Sequence, residues 1–399
     1  MRYVVGFLLA LFVFTSCTEN DIRSISRENL FTLDIGRLED QIDLINLEGE
    51  PSIEKTRITM RDGLFYISDG KGERVTRYTS YGDLLFMIYN EENNPPPLTL
   101  PVNPEEGEQV TRWASVYPFR EPGEIRVDSR KHIYVEDRLP TERHAFDQES
   151  RALLDSTVLH FDTDGKFIEY LGREGLGGSP FPRISSIHAT VNDEIAVVCR
   201  LPGGWNIYWF NAEGTLLYSI PISSSTLPVL PDQELFPSVD SVSIAPDERK
   251  VHIKIDYYES TFDASTGTQT GITFDSSVIW VMSVESGIYE SIIEIPLFEE
   301  TFSEGNREYK ESLIYSMVGV VKNGWVFLSV PVDGGYSLLV VREKSPEQRR
   351  GFIQVDNDEL YFNAFDVSSD GILSGLLADD WQAKIVWWRS DSLIGDIVP

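Results

Sequence analysis

The sequence predicts an all-β fold, a β-propeller of six four-stranded blades, and three observations lead to that prediction. Runs rich in aromatic and β-branched residues, such as Val278–Met282 and Ile385–Trp388, recur along the whole chain. Several runs are apolar at consecutive positions, which indicates strands that are covered on both faces. Tight turns recur in two matched sets of six, and no stretch holds a helical period with caps.

The turns define the repeating unit. The first set lies at Asp62-Gly63, Ser129-Arg130-Lys131, Asn192-Asp193, Asp247-Glu248-Arg249, Asn323-Gly324 and Asp370-Gly371. The second set lies at Tyr81-Gly82-Asp83, Asp164-Gly165, Glu213-Gly214, Ser286-Gly287, Glu343-Lys344-Ser345 and Ser390-Asp391. Two strands separate the sets, one precedes the first turn and one follows the second. Six such units fit a propeller of about four to eight blades. Irregular spacing leaves seven blades open, and a pair of β-sandwiches is the alternative architecture.

The first strand-like run after the polar N-terminal region is Leu30–Ile35. An open ring of blades would leave strand edges unpaired. We therefore expect this run to close the ring by pairing with the strand around Lys384–Trp388 in the last blade.

The N-terminus predicts export. Residues Tyr3–Phe14 are apolar apart from Gly6, too short for the ~20 residues of a membrane span but within the ~7–15 residues of a signal-peptide core. The following Phe14-Thr15-Ser16-Cys17 resembles a bacterial lipobox, although it lacks Leu at the first position and Gly or Ala before Cys17. We expect a signal peptide over 1–16, a lipidated Cys17 with a polar tether to residue 29, and one propeller domain over 30–399. An ordinary signal peptide with an incidental Cys17 is the alternative.

That organisation predicts a lipoprotein of the bacterial cell envelope, on the periplasmic side or in the outer membrane, attached to the bilayer through acyl chains. The chain carries 64 acidic against 34 basic side chains, a formal net charge of −30. Such a surface repels phosphate backbones, so nucleic acid is excluded as a partner. The second cysteine, Cys199, ends an apolar run and is expected to be a buried thiol.

Two segments resemble a known repeat. Tyr66–Gly70 followed by Arg74-Val75, Tyr78 and Gly82 resembles an NHL-type repeat, as do Ile133–Asp137, Val158–Asp162 and Gly165–Phe167. The resemblance covers about a third of the chain. It implies a propeller that is used mostly for binding, and it carries no catalytic site across.

Long insertions indicate where binding occurs. They span Glu91–Pro122, Glu136–Ser156, Pro221–Pro237, Tyr257–Ser277 and Phe298–Arg307. All fall between the second and third strands of a unit or between units, so they should emerge on one face. Candidate partner-binding residues on that face are Arg138, Arg143, His144, Trp205, Tyr257, Tyr258 and Trp381. The expected partner is a protein, or a peptide or sugar ligand.

Catalytic motifs are missing. The five histidines show no metal-ligand spacing, and Asp162–Gly165 is expected to be a hairpin turn rather than a calcium loop, because position 173 is Arg. We therefore expect a binding or scaffold protein without cofactor, metal or catalytic residues. The alternative is a metal-dependent, lactonase-like hydrolase or lyase, with Glu124, Asp240 and Asn363 at the mouth of a central channel.

Overall fold

The computed structural model describes residues 22–45, 52–104, 110–172, 178–223, 225–228, 230, 235–304 and 307–395. Its strands form six sheets arranged as the six blades of a β-propeller. The signal peptide and Cys17 lie outside the described residues.

The blades follow one another along the chain, each with its first strand nearest the ring axis. Blade 1 contains Thr56–Arg61, Leu64–Asp69, Arg74–Thr79 and Leu84–Tyr89. Blade 2 contains Ile125–Val127, Ile133–Arg138, Ser156–Phe161 and Phe167–Tyr170. Blade 3 contains Ile184–Ala189, Ile195–Leu201, Gly204–Phe210 and Leu216–Ser223. Blade 4 contains Phe236–Ile244, Lys250–Phe262, Gln269–Ser283 and Tyr289–Ile295. Blade 5 contains Ser316–Val321, Trp325–Val332, Gly335–Arg342 and Gln348–Gln354.

Blade 6 confirms the predicted closure of the ring. Its first three strands are Phe362–Val367, Leu373–Ala378 and Gln382–Trp388. The fourth strand is Arg27–Ile35, which pairs antiparallel with Gln382–Trp388 and places Thr32 opposite Lys384. The two ends of the chain thus meet in one sheet, in a ring of six blades rather than seven.

This closure corrects two details of the sequence analysis. Ser390-Asp391 is not a turn between two strands, because the fourth strand of blade 6 comes from the N-terminus; the pair lies instead in a 3₁₀ turn, Ser390–Leu393. The polar tether is also shorter than expected. Arg23–Ile25 already forms a strand, parallel to Gln348–Gln354 on the outer edge of blade 5. The fold therefore begins at Arg23 rather than at Leu30.

Additional strands, hairpins and 3₁₀ turns lie outside the four-stranded blades. Two further strands, Gln41–Ile42 and Trp113–Val116, pair in parallel with the outer strands of blades 6 and 1. Two separate hairpins consist of Ala145–Asp147 with Ala152–Leu154 and of Phe298–Glu304 with Arg307–Leu313. The remaining 3₁₀ turns are Thr141–Arg143, Lys322–Gly324 and Asn357–Glu359.

The turns between first and second strands lie where the sequence predicts them. Asp62, Lys131, Asp193 and Asn323 adopt positive φ angles of 52°, 66°, 59° and 63°. Asp and Asn tolerate this left-handed conformation better than most residues, which is why these turns are visible in the sequence.

Apolar side chains fill the interfaces between neighbouring blades. Cys199 is fully buried between blades 2 and 3, as expected for a core thiol, and burial raises its pKa. None of the described helical segments is long and apolar enough to cross a membrane.

Candidate binding face

All five insertions lie between the second and third strands of a blade or between blades. We call the end of the ring that carries these insertions the elaborated face. The opposite end, which carries the short turns, is called the trimmed face. The longest insertion, Glu91–Pro122, leaves the elaborated face but then returns along the outer edge of blade 1. Its strand Trp113–Val116 pairs with Phe86–Tyr89, and the Trp113 Nε1 donates a hydrogen bond to the carbonyl of Asp164 at 2.9 Å. This insertion therefore also reaches the trimmed face.

The three basic candidates of blade 2 lie together on one loop, and each has an internal contact. Arg138 is half-exposed, with its NH2 3.3 Å from the Asp155 carboxylate. The Arg143 guanidinium lies 5.8 Å from the centre of the Tyr170 ring, and the His144 Nε2 is 2.9 Å from a backbone carbonyl. These contacts fix the loop and leave part of its positive charge exposed to solvent.

Of the four aromatic candidates, one is exposed, one is half-buried and two are buried. Trp381 is 80% exposed at a turn of blade 6, and Tyr258 is half-buried against Phe274, with ring centres 6.0 Å apart. The assignment of Tyr257 and Trp205 to the binding face is wrong, because both are buried in the core between blades 3 and 4. Tyr257 is fully buried and donates its hydroxyl to the Pro228 carbonyl at 2.8 Å.

The sequence analysis missed the exposed apolar residues of the two hairpins that project from this face. In blade 2, Phe146 and Leu153 face each other across the strands Ala145–Asp147 and Ala152–Leu154, and both are exposed. Each strand of this hairpin is only three residues long, so the sequence carries little signal for it.

The larger projection is the end of the second and third strands of blade 4, residues 257–277, called here the blade-4 hairpin. Tyr258 pairs with Phe274 and Ser260 pairs with Ile272, so these side chains lie on one face of the hairpin with Phe262. Phe262 is 62% exposed and Ile272 is 60% exposed. The four apolar side chains Tyr258, Phe262, Ile272 and Phe274 are called the apolar strip.

The charged side chains of the blade-4 hairpin are all acidic. Residues 257–277 contain no Lys or Arg. At the tip, the Asp263 carboxylate accepts hydrogen bonds from the backbone N–H groups and hydroxyls of Ser265 and Thr266, which lower the pKa of Asp263 to about 2. These bonds hold the turn in one conformation, so the strip is presented by an ordered hairpin.

Two of the three channel residues proposed for the enzyme alternative, Glu124 and Asp240, are held by ion pairs. Glu124 accepts a hydrogen bond from Arg57 at 2.9 Å; burial raises the pKa of Glu124, while the positive charges of Arg57 and Lys55 lower it. Asp240 lies 3.3 Å from the Lys254 ammonium. Asn363 lies on the first strand of blade 6. In the described part of the chain, no group of three or more His, Cys, Asp or Glu side chains has the geometry of a metal site.

At the trimmed-face end, the channel wall carries a second polar group. Arg126 pairs with Asp366 at 3.0 Å and donates to the Ile187 carbonyl at 3.1 Å. His188 lies 2.9 Å from the Ser186 hydroxyl, and burial, aided by the charge of Arg126, lowers the pKa of His188 to about 3. The wall is thus a mixture of paired charges and small polar groups.

Asp162–Gly165 forms the hairpin turn that the sequence predicts. The Asp162 Oδ1 accepts the backbone N–H groups of Asp164 and Lys166, each at 2.9 Å. This carboxylate oxygen therefore stabilises the turn.

No protein-family model and no curated protein sequence matches this chain. Among solved structures it is similar to the polysaccharide lyase Uly1, with a TM-score of 0.43, 7% identity, and coverage of 92% of this chain and 99% of that one. An ulvan lyase gives a TM-score of 0.40 at 9% identity over 90% of this chain and 96% of that one. A gluconolactonase from Xanthomonas campestris gives a TM-score of 0.41 at 11% identity, over 92% of this chain and 96% of that one. At this level of similarity, function is argued from the residues of the chain itself, and the NHL-type resemblance of blades 1 and 2 stays a prediction.

Proposed function

We propose that this protein is a lipid-anchored binding protein of the bacterial envelope that engages another protein through its elaborated face. The observation that supports this most directly is the apolar strip on the blade-4 hairpin. Its two outermost side chains, Phe262 and Ile272, are more than half exposed on an ordered projection, where they add nothing to the packing between blades.

Burial of these two side chains against a partner would be strongly favourable. Complete burial of a Phe or Ile side chain contributes roughly 1.5–3 kcal/mol each. An exposed aromatic and aliphatic cluster surrounded by polar residues is typical of an interaction surface. Polar side chains beside the strip supply such a rim, as at Ser260 and Gln269, which are joined by a hydrogen bond of 3.1 Å.

A protein fits this surface better than a small ligand does. The strip lies on a projecting hairpin, whereas sites for small molecules are concave and enclose most of the ligand. On blade 2, the exposed pair Phe146 and Leu153 gives the same face a second apolar projection. We infer that the partner contacts both hairpins, with the positive charge of the Arg138 loop beside the blade-2 contact.

Site-specific photo-crosslinking in cells tests this assignment. A photoreactive amino acid at Phe262 or Ile272 should give a crosslinked product of discrete mass, because these side chains face the partner. The same amino acid at Tyr81 or Ile288, which are exposed at turns of the trimmed face, is the matched control and should give none. Products from the control positions alone, or from no position, would contradict the proposal.

The control positions avoid the charged residues of the trimmed face. Arg130 lies 2.9 Å from the fully buried carboxylate of Asp128, and Arg249 forms ion pairs with Glu194 and Glu285. Substitution of either residue would disturb the fold, so it would not isolate a surface effect.

The membrane anchor is tested separately. Each buried methylene of an acyl chain contributes about 0.8 kcal/mol, so two or three chains hold a protein durably. Cys17→Ser should therefore move the protein from the detergent phase to the aqueous phase in phase partitioning, with an unchanged melting temperature. An unchanged detergent fraction would show that Cys17 is not the anchor.

A further inference from the structure

We propose that a cleft between blades 1 and 2, distant in the fold from the blade-4 hairpin, is a binding site for a neutral saccharide. The cleft has a volume of about 680 Å³. One wall is formed by described residues of the longest insertion, chiefly Asn103, Pro104 and the segment Trp113–Tyr117, and the other is the turn and outer strand of blade 2, from Phe161 to Phe167. We call it the lateral cleft.

Trp113 is the centre of the first wall, and its orientation is fixed from one side. Its ring stacks on Phe86, with ring centres 6.0 Å apart and an interplanar angle of 12°. Behind this pair, the buried Arg77 guanidinium lies 4.3 Å from the centre of the Phe86 ring. The hydrogen bond from Nε1 to the Asp164 carbonyl prevents rotation of the indole. A half-exposed aromatic ring is thus held in place before any ligand arrives.

Each wall presents further aromatic surface. Tyr117 and Phe167 line the cleft with ring centres 5.2 Å apart, and both are half-buried. Aromatic faces carry partial negative charge and attract the weakly positive C–H groups of a sugar ring. Two such surfaces in one cleft suit a chain of pyranose rings better than a single one does.

Polar side chains complete the lining. Asn103, Ser115, Asp164 and Lys166 border the cleft, and the Asp164 carboxylate and the Lys166 ammonium have no side-chain partner among the described residues. A purely apolar ligand would strip water from these groups without replacing its hydrogen bonds, which is costly. A ligand with many hydroxyl groups replaces them.

The charge of the cleft selects among saccharides. The charged side chains of its lining are two carboxylates, Asp162 and Asp164, and one ammonium, that of Lys166, in a chain of net charge −30. Carboxylated or sulfated sugars would be repelled by this surface. The volume lies within the roughly 300–1,000 Å³ of small-molecule sites, which accommodates a short oligosaccharide segment.

The experiment is a titration of the purified protein with oligosaccharides, in which binding is measured by tryptophan fluorescence and by calorimetry. The neutral probes are the hexasaccharides of cellulose, xylan, mannan and laminarin, and the acidic probe is hexagalacturonate. We expect at least one neutral probe to bind with a dissociation constant below about 1 mM, and to bind at least tenfold more tightly than the acidic probe. Failure of all neutral probes, or preference for hexagalacturonate, would overturn the proposal.

Variants locate the binding. Trp113→Ala should weaken binding of the neutral probe at least tenfold, whereas Trp381→Ala, a control for an exposed indole on the elaborated face, should leave it unchanged. Because Trp113 also packs on Phe86, the melting temperature of the Trp113→Ala variant is measured in parallel. A double variant, Asp164→Ala with Lys166→Ala, changes two exposed positions of the cleft instead. If this second variant binds as tightly as the original protein, the cleft is not the site. Crosslinking at Phe262 should persist in Trp113→Ala and in the Asp164→Ala, Lys166→Ala double variant, so this test is independent of the proposed protein partner.

Discussion

Two interfaces between neighbouring blades differ sharply in their chemistry. Where blade 6 meets blade 1 the centre of the interface is apolar, with Ile58, Phe65, Leu376 and Ile385 in one continuous cluster that also contains Leu33 of the closing strand. Blade 6 is assembled from both ends of the chain, so no covalent link holds its last strand to its third. The strand pairing with Gln382–Trp388 and this apolar packing supply the attachment there.

Between blades 4 and 5 the inner half of the interface is polar. Lys254 is 1% exposed, with its ammonium 2.7 Å from Asp256 and 3.3 Å from Asp240. His252 is fully buried on the same strand, and neither ring nitrogen has a hydrogen-bond partner in the described structure. The two interfaces thus differ in what fills their inner part, and charge is tolerated between blades 4 and 5 where the buried ammonium has carboxylate partners.

The largest expected effect comes from breaking the ion pair of this polar interface. Asp256→Ala leaves the Lys254 ammonium buried with only the partly exposed Asp240, and also removes the acceptor of the Ser277 hydroxyl. Removing one partner of a buried pair costs about 3–5 kcal/mol, and because Asp240 remains, the expected loss is about 3 kcal/mol. Urea unfolding measures the free energy of unfolding directly.

Two further variants sharpen this result. Asp275→Ala removes an exposed carboxylate of the neighbouring strand and should change stability by less than about 0.5 kcal/mol. Adding Lys254→Met to Asp256→Ala should recover most of the loss, because the uncompensated charge is then gone. No recovery would mean that the cost lies in packing rather than in charge.

A smaller, pH-dependent effect is expected at His252. Burial is the main cause that lowers the pKa of His252 to about 4, with Lys250 adding to the effect and Glu343 and Glu248 opposing it. Between pH 6.5 and 4 the unfolded chain therefore binds a proton that the folded chain does not, so stability falls as the pH falls through this window. The loss from this one residue between pH 7 and pH 5 is about 2 kcal/mol.

His252→Leu should remove that part of the acid sensitivity. At pH 7 the variant should be at least as stable as the original protein, because a buried imidazole without hydrogen bonds is replaced by an apolar side chain. At pH 5 it should be more stable by about 2 kcal/mol. Some acid sensitivity remains, since burial also lowers the pKa of His160 to about 4 and that of His188 to about 3. Equal losses in both proteins would show that His252 does not contribute.

The parts of the fold that were predictable from the sequence are those set by local backbone chemistry. A turn such as Asn323-Gly324 needs positive φ angles, here 63° and 69°, and only a few residue types adopt them readily. The closing strand was predictable for a similar reason, since Leu30–Ile35 is a strand-like run that a propeller needs at its open edge.

The binding face was harder to predict because it depends on where each strand ends. The sequence alone suggested a loop beginning at Tyr257, but the strand continues to Phe262. Side chains of a strand alternate between its two faces, so Tyr257 points into the core while Tyr258 joins the apolar strip. Trp205 is buried for the same reason, as the second residue of the strand Gly204–Phe210. The lateral cleft joins residues of two blades that are about fifty positions apart, which no local pattern reveals.

The short strand Arg23–Ile25 also determines how the molecule would sit on a membrane. Five residues, Thr18–Ile22, separate it from Cys17, and an extended chain of that length reaches only about 20 Å. With Cys17 acylated, this short segment would hold the outer strand of blade 5 close to the bilayer. In a ring of six, blade 2 stands diametrically across from blade 5. The anchored protein would therefore turn the lateral cleft toward the open medium, where a soluble saccharide can diffuse in without meeting the lipid surface.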